Sequence, residues 1–195
     1  EKPRDRTVRV VAGKPHRNSV AQAWVLPMPT IDPQIVARSA AVLEQYGPRF
    51  TYSHYAAFRR LPVAVGTAAG TALVAAVAQI PQARKLLGKL REPGDGPDPD
   101  TRARGWFTAR FHGVANGRSV ITEVSGDRDP GYEETAKMLS ESALCLAFDD
   151  LPPTAGQVTT AVAMGDALIE RLRKAGISFT VLEKPPAHPP SRPRR

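Results

Sequence analysis

The sequence predicts an α+β (mixed α/β) fold, in which helices pack on a sheet that contains antiparallel strands. Two observations indicate this class. An Asn-Gly pair at 116–117 separates two runs of alternating apolar and polar residues, a pattern typical of a β-hairpin. Apolar residues at helical spacing occur both before and after this hairpin, and a short strand pattern follows the last of them. We expect one α+β domain over 18–183.

Before the hairpin, the sequence predicts short strands and a capped helix. Thr7–Ala12 and Ala21–Leu26 have extended patterns. A helix is expected to begin at Asp32-Pro33, with the aspartate as N-cap and the proline in the first helical position, and to end at Gly47-Pro48. The aromatic residues of 50–61 favour a further strand.

The uncharged stretch 61–80 predicts a helix made mainly of Ala, Gly, Thr and Val. Its length would allow a membrane span, but alanine contributes little to membrane insertion. We therefore favour a helix that is buried or dips into a surface, and peripheral membrane contact stays open as an alternative. Basic residues follow up to Arg91, so 61–91 form an apolar and then basic segment of the kind that docks on lipid surfaces.

After the hairpin, two helices and a strand are predicted. The first helix is expected to begin at a second Asp-Pro pair, Asp129-Pro130. Its apolar stripe, which we expect to face the core, consists of Ala136, Leu139, Ala143, Leu144 and Ala147. The second helix runs from Thr160 to Lys174, stops at Gly176 and leads into the strand Ile177–Leu182.

The net charge of +8 lies at the two ends of the chain. Residues 1–17 contain six Lys or Arg and two acidic residues. Residues 184–195 contain four Lys or Arg and no acidic residue. Nucleic-acid-binding domains concentrate basic charge on a folded surface, so we expect no nucleic-acid partner. We interpret 1–17 as a basic flank with a short strand and 184–195 as a disordered Pro/Arg tail.

Sequence motifs exclude several kinds of site. No G-x-G-x-x-G follows a strand, so no dinucleotide fingerprint is present. The four histidines lack metal-ligand spacing, and we expect no metal. The single Cys145 lies in an apolar run and is expected to be a small buried hydrophobe. Tyr132 and Lys137 are too far apart around a helix to form a catalytic Tyr–Lys pair.

Two long stretches, Asp129–Ala147 and Gly156–Gly176, carry a resemblance to a known family. Together they resemble the C-terminal end of saccharopine-dehydrogenase-like proteins, and most closely the trans-acting enoyl reductase group. The segment Thr30–Phe50, with Arg38-Ser39-Ala40 and Tyr46-Gly47, resembles the middle of the same family. The likeness covers most of 24–182.

The resemblance implies a two-part oxidoreductase. An N-terminal Rossmann domain would bind NADP, and a following α+β domain would shape the substrate site and contribute to a homodimer. The implied reaction is hydride transfer to the double bond of a lipid or polyketide enoyl intermediate. Nothing before Glu1 supplies the Rossmann half, so we expect this chain to be the C-terminal part, to bind no cofactor and to be inactive alone. A truncation, a partial gene and a separate chain all stay open as explanations.

Four residues are candidates for substrate binding. The resemblance implies that Thr159 and Thr160 begin a helix beside the active cleft, where Met164 and Tyr132 would join them. The alternatives are simple N-capping for the threonines and an amphipathic surface position for Tyr132. No catalytic residue is assigned. We expect a cytoplasmic protein, peripheral to a membrane if 61–91 docks there. The competing hypothesis is a non-catalytic lipid- or membrane-associated interaction module.

Overall fold

The computed structural model describes residues 6–83, 96–190 and 192. Their mixture of helices and antiparallel strands confirms the predicted α+β class. The strands are β1 (Thr7–Val10), β2 (His16–Asn18), β3 (Ala23–Pro27), β4 (Arg49–Tyr52), β5 (Tyr55–Phe58), β6 (Phe107–Ala115), β7 (Arg118–Gly126) and β8 (Ser178–Leu182). The helices are α1 (Asp32–Ala40), α2 (Leu61–Val77), α3 (Pro99–Ala103), α4 (Glu133–Phe148), α5 (Thr160–Ala163) and α6 (Gly165–Lys174), with a 3₁₀ turn at Glu44–Tyr46.

The first half of the chain combines a parallel strand pair with a small antiparallel sheet. β1 pairs in parallel with β4, and α1, which lies between them in the sequence, packs on both strands. This crossover is what a parallel pair requires. β3 pairs with β2 on one side and β5 on the other, both antiparallel. The single strand predicted over 50–61 is therefore wrong, because the chain turns after Tyr52 and enters the other sheet at Tyr55.

The second half is built on the antiparallel sheet β6-β7-β8. The predicted hairpin is confirmed: Asn116 and Gly117 both have positive φ, 51° and 72°, as a tight two-residue turn requires. Across this hairpin, the Arg110 guanidinium donates to the Glu123 carboxylate at 2.6 Å and to the carbonyl oxygen of Val20 at 3.1 Å. Arg110 therefore ties the sheet to the loop between β2 and β3.

Helices α4 and α6 pack against each other, and α6 also packs on β8. The buried apolar side chains of this half are Ile121, Cys145, Met164, Leu172 and Ile177. Arg171 of α6 holds both carboxylate oxygens of Asp149, at 2.6 and 2.7 Å, just beyond the end of α4. An ion pair thus adds to the small apolar core in joining the two helices.

The helix boundaries differ from those predicted at α1. Asp32 is the first helical residue and Ile31 occupies the cap position, without a side-chain cap. The helix ends at Ala40 rather than at Gly47, because Arg6 donates to the carbonyl oxygens of Ala40 and Leu43, at 3.2 and 2.5 Å, and so satisfies the end of α1 there.

The later helix boundaries also move. The Asp129 carboxylate accepts from the backbone N–H groups of Gly131 and Tyr132, both at 3.0 Å, and this turn delays the start of α4 to Glu133. The helix predicted from Thr160 to Lys174 breaks into α5 and α6, because Gly165 adopts φ +49°, outside the helical range.

The apolar stripe predicted for the core side of α4 is wrong. All five of its residues are exposed, whereas the buried positions of the helix are Glu134 and Cys145. The carboxylate of Glu134 accepts from the backbone N–H of Arg128 at 3.2 Å and lies 2.7 Å from the ammonium of Lys137. These polar contacts, with those of Arg171 and Asp149, fix the rotation of α4 and turn its leucines outward.

Helix α2 confirms the predicted helical conformation but not the expected burial. Only Ala64 is buried among its residues, and Leu73 and Val74 are 64% and 58% exposed. Across 6–83 and 96–190, no helix combines the length and apolarity that a membrane crossing needs. The predicted basic segment 84–91, residues 1–5 of the basic flank and most of 191–195 of the tail lie outside the described residues.

Candidate functional site

An open cleft of about 360 Å³ lies at the carboxyl end of β1, next to the first turn of α1. Its walls come from the ends of β1 and β3, from the start of α1, and from His54 in the link between β4 and β5. The lining residues are Val10, Val11, Ala12, Pro27, Met28, Pro29, Thr30, Pro33, Gln34 and His54. Ligands of folds with parallel strands bind outside the carboxyl ends of those strands, which makes this cleft the candidate site.

The cleft is mostly apolar and contains few polar side chains. Thr30, Gln34 and His54 are the polar residues of its lining, and no Lys or Arg belongs to the part of that lining which the structure describes. An apolar cavity with a few polar groups is typical of sites for small organic molecules. The composition favours a ligand with an apolar body and one uncharged polar group.

A tyrosine is within hydrogen-bonding distance of the histidine that lines the cleft. The Tyr52 hydroxyl lies 3.0 Å from His54 Nδ1. The two residues are two positions apart in an extended chain, which places their side chains on the same side. Tyr52 is also part of a row of rings, since Phe50 stacks on it at 6.4 Å between centroids and Tyr46 meets Phe50 edge-on at 4.8 Å.

The pKa of Tyr52 is raised above its ordinary value of 10.0. Burial is the largest cause, and the nearby charge of Asp32 and the neighbouring Tyr46 add to it. The protonated hydroxyl of Tyr52 can donate to Nδ1 of His54 or accept from it, depending on the tautomer of the histidine.

Thr159, Thr160 and Met164, three of the four residues predicted from the sequence, share one turn of chain near α1. Thr159 occupies the N-cap position of α5, but its side chain makes no cap bond. Its hydroxyl instead lies 2.8 Å from the hydroxyl of Ser39, and both are buried. Met164 is buried as well, and Thr160 is exposed. The contact between Thr159 and Ser39 anchors the chain before α5 on the helix whose first turn lines the cleft. None of the three residues is part of the cleft lining.

Tyr132, the fourth predicted residue, lies elsewhere. It is exposed, and the Arg102 guanidinium lies 5.7 Å from the centre of its ring. Its hydroxyl also lies against Gly96, where a β-carbon would be 2.6 Å away. Within the described ranges, no hydrogen bond or ring contact joins Tyr132 to the other three candidates, so their common substrate site stays a prediction.

Sequence reasoning passed over Tyr52 and His54. The available signal was their two-residue spacing in an aromatic stretch, which places both side chains on one side of an extended chain. Their proximity to the first turn of α1 depends on the crossover between β1 and β4, which no local pattern shows. Among the residues that the structure describes, no group of three His, Cys, Asp or Glu could hold a metal ion.

Comparison with known proteins gives curated relatives, whereas no protein-family profile matches the chain and no solved structure matches it significantly. A trans-acting enoyl reductase of Mycobacterium tuberculosis H37Rv is 34% identical over 155 residues, which are 74% of this chain and 37% of that protein. Rv2449c of the same strain, named as an unverified trans-acting enoyl reductase, is 35% identical over 158 residues, 75% of this chain and 38% of its own. The trans-acting enoyl reductase of Mycobacterium ulcerans Agy99 is 31% identical over 156 residues, with 74% and 37% covered.

These similarities support the trans-acting enoyl reductase family suggested by the sequence. The chain spans less than two fifths of the length of the curated relatives that it matches. The relatives' names do not bear on the broader likeness to saccharopine dehydrogenases or on the expected truncation, which stay predictions.

Proposed function

We propose that this chain is the substrate-binding part of an NADP-dependent, saccharopine-dehydrogenase-like enoyl reductase that acts on a lipid or polyketide enoyl intermediate. The observation that carries the proposal is the similarity, over three quarters of the chain, to proteins named trans-acting enoyl reductases. The cleft supports it, because an apolar pocket with a hydrogen-bonding histidine suits an acyl group. Homodimerisation belongs to the same proposal and rests on the family resemblance.

The first strand and the turn that follows it differ from a dinucleotide fingerprint. The turn after β1 contains one glycine, Gly13, and a β-carbon there would be 1.6 Å from the Tyr55 hydroxyl, so the space is filled by protein. From β1 the chain continues into β2 and β3 before it reaches α1, whereas a dinucleotide fingerprint leads from a strand directly into a helix. We therefore propose that a Rossmann domain outside this chain holds NADP, while this chain holds the acyl substrate.

Two titrations of the 195-residue chain test this division of labour. NADPH fluorescence should not change at micromolar protein concentrations, and micromolar binding would contradict the proposal. A short enoyl thioester should bind, with a change in tryptophan fluorescence. Ala12→Trp, which fills the cleft, should abolish that binding, whereas Ala109→Trp on the exposed side of β6 should not. Undiminished binding by Ala12→Trp would remove the cleft from the proposal.

A second candidate function, a lipid- or membrane-associated interaction module, is favoured by α2. A helix that is apolar on all sides is normally covered by protein or lipid. In this structure nearly all of α2 is exposed, and the exposed Arg59 and Arg60 precede it, where they could meet anionic headgroups.

Vesicle flotation tests the second candidate. The wild-type chain should float with anionic liposomes, and the double variant Leu73→Glu/Val74→Glu should not. Val114→Glu/Val120→Glu on the hairpin is the matched control, because both of its valines are also exposed. Equal flotation of the α2 variant and the wild type would contradict the candidate. Loss of flotation with intact thioester binding would show that the two functions are separate.

A further inference from the structure

We propose that His54, held in one tautomer by Tyr52, donates its Nε2–H to the carbonyl oxygen of an α,β-unsaturated acyl thioester in the cleft. This inference rests on the proposed substrate-binding function and names the contact that would recognise the reacting end of the substrate. His54 is the binding residue in this assignment, and Tyr52 is a positioning residue that acts through it.

The geometry leaves one nitrogen of His54 for a ligand. Nδ1 is occupied by the Tyr52 hydroxyl at 3.0 Å, and His54 belongs to the cleft lining. Within the described ranges, no hydrogen bond uses Nε2 of His54. His16, in contrast, has both ring nitrogens within hydrogen-bonding distance of neighbours, namely the carbonyl of Lys14 and the amide of Asn18. His54 thus has one nitrogen held by the protein and one left for a ligand.

The contact with Tyr52 bears on which nitrogen of the histidine carries the hydrogen. The Tyr52 hydroxyl lies 3.0 Å from Nδ1, and in the proposed arrangement the hydroxyl donates and Nδ1 accepts. The hydrogen of a neutral imidazole then lies on Nε2. A charged imidazolium would carry hydrogens on both nitrogens. Nε2 is therefore a donor in either state, which suits an acceptor such as a carbonyl oxygen.

The charges near the cleft favour a neutral ligand over an anion. No Lys or Arg belongs to its described lining, and the carboxylate of Asp32 is close enough to affect Tyr52. A carboxylate or phosphate ligand would lack a cationic partner in this lining. A thioester carbonyl needs one good donor, and a hydrogen bond to its oxygen also withdraws electron density from a conjugated double bond.

The tautomer can be tested without any ligand. In ¹H–¹⁵N spectra of the histidine-labelled chain at neutral pH, His54 should carry its hydrogen on Nε2 and show an unprotonated Nδ1. Tyr52→Phe should change His54 to the mixture of tautomers expected for the exposed His112, while the circular dichroism spectrum stays the same. A hydrogen on Nδ1 of wild-type His54, or an unchanged spectrum in Tyr52→Phe, would overturn the assignment.

Titration with the crotonyl thioester of N-acetylcysteamine tests the ligand contact. The thioester should shift the His54 Nε2–H resonance in a saturable manner, and crotonate, which bears a carboxylate, should bind at least tenfold more weakly. His54→Ala should weaken thioester binding about tenfold, which corresponds to about 1.4 kcal/mol. His54→Gln, which keeps an N–H donor near Nε2, should restore most of the affinity. His112→Ala is the control and should bind like the wild type.

The outcomes separate this inference from the proposed function. Equal thioester binding by His54→Ala and the wild type, or tighter binding of crotonate than of the thioester, would overturn the His54 contact. Two results together would support it: a saturable shift of the His54 resonance in the wild type, and thioester affinity close to that of the wild type in His54→Gln. Failure of the thioester to be reduced when an NADPH-binding domain of a relative is added would count against the reductase proposal and leave the contact intact.

Discussion

The cleft region, residues 6–60, and the scaffold region, residues 105–182, differ in what holds them together. The scaffold contains the long strands β6 and β7, the helix pair α4 and α6, and the buried residues Ile121, Leu172 and Ile177. The cleft region consists of strands of three to five residues and one helix of nine, and its Tyr52–His54 pair lies beside an open cleft.

This difference affects how each region can be recognised from the sequence. Two of the three stretches that carry the family resemblance, 129–147 and 156–176, form α4, α5 and α6 of the scaffold, and the third, 30–50, includes α1 of the cleft region. Long amphipathic helices leave long recognisable patterns, whereas a site assembled from the ends of short strands leaves almost none. The likeness to trans-acting enoyl reductases was therefore visible in the sequence, whereas the cleft follows from the crossover through α1.

The comparison predicts that the largest loss of stability comes from the scaffold core. Ile177 is 1% exposed and precedes β8, so Ile177→Ala should lower the free energy of unfolding by about 3 kcal/mol through lost burial and a cavity. Val181→Ala in the same strand, where the side chain is 69% exposed, should change it by less than about 0.5 kcal/mol. Urea titration measures both, and equal effects would contradict a core position for Ile177.

The next prediction compares two glycines, one with closely packed surroundings and one with open space beside it. A β-carbon at Gly126 would lie 2.5 Å from Phe107 and 2.8 Å from the carboxyl carbon of Glu134. The Glu134 carboxylate is held in place by a hydrogen bond from the backbone N–H of Arg128. Gly126→Ala should therefore destabilise the chain by about 2 kcal/mol. Gly66 in α2 has no atom within 4 Å of a β-carbon, so Gly66→Ala should stabilise by about 0.5 kcal/mol. If both changes have the same sign, the close packing around Gly126 does not determine the effect of an added β-carbon.

Much of the secondary structure follows from the sequence, because its causes are local. The turn at Asn116-Gly117 needs two positive φ values, and those residues supply them. The strand Ile177–Leu182 differs from β8 by one residue. Helix ends were less accurate, since Arg6 and the Asp129 side chain decide two of them through hydrogen bonds outside the helical pattern.

Which face of a helix is buried was not predictable in the same way. The leucines of α4 form a regular apolar stripe, yet the buried positions are Glu134 and Cys145. Arg171 contacts Glu141 of α4 although the two residues are about thirty positions apart in the sequence. A local sequence pattern does not predict such a contact. Similarly, Thr159 is placed by its bond to Ser39, 120 residues earlier, rather than by the capping role that its position suggests.

The ion pair of the scaffold gives a pH-dependent prediction. Hydrogen bonds from Arg171 lower the pKa of Asp149 below its ordinary value of 3.8. A lowered folded-state pKa stabilises the fold above the unfolded-state pKa, and that stabilisation disappears as the pH falls through the folded-state value. The difference in urea midpoint between the wild type and Asp149→Asn should therefore be constant from pH 7 to 5 and shrink below about pH 4.

Glu170→Gln is the control for this pH series. Glu170 forms an ion pair with Arg173 at 3.1 Å on the surface of α6, where both side chains are exposed. Surface pairs of this kind contribute little, so Glu170→Gln should match the wild type across the series. A difference for Asp149→Asn that persists unchanged below pH 4 would show that the carboxylate of Asp149 is not the group that links the helices.

The smallest expected effect on stability belongs to the cleft. Tyr52→Phe removes one hydroxyl and its bond to His54 from a half-buried position, so the free energy of unfolding should fall by less than about 1 kcal/mol. Tyr46→Phe in the same row of rings should have a similar or smaller effect. Urea titration measures the contribution of Tyr52 to stability, and the tautomer spectrum of His54 measures its effect on the histidine. If Tyr52→Phe destabilises the chain as much as Ile177→Ala, Tyr52 belongs to the core, and the contrast between scaffold and cleft does not hold.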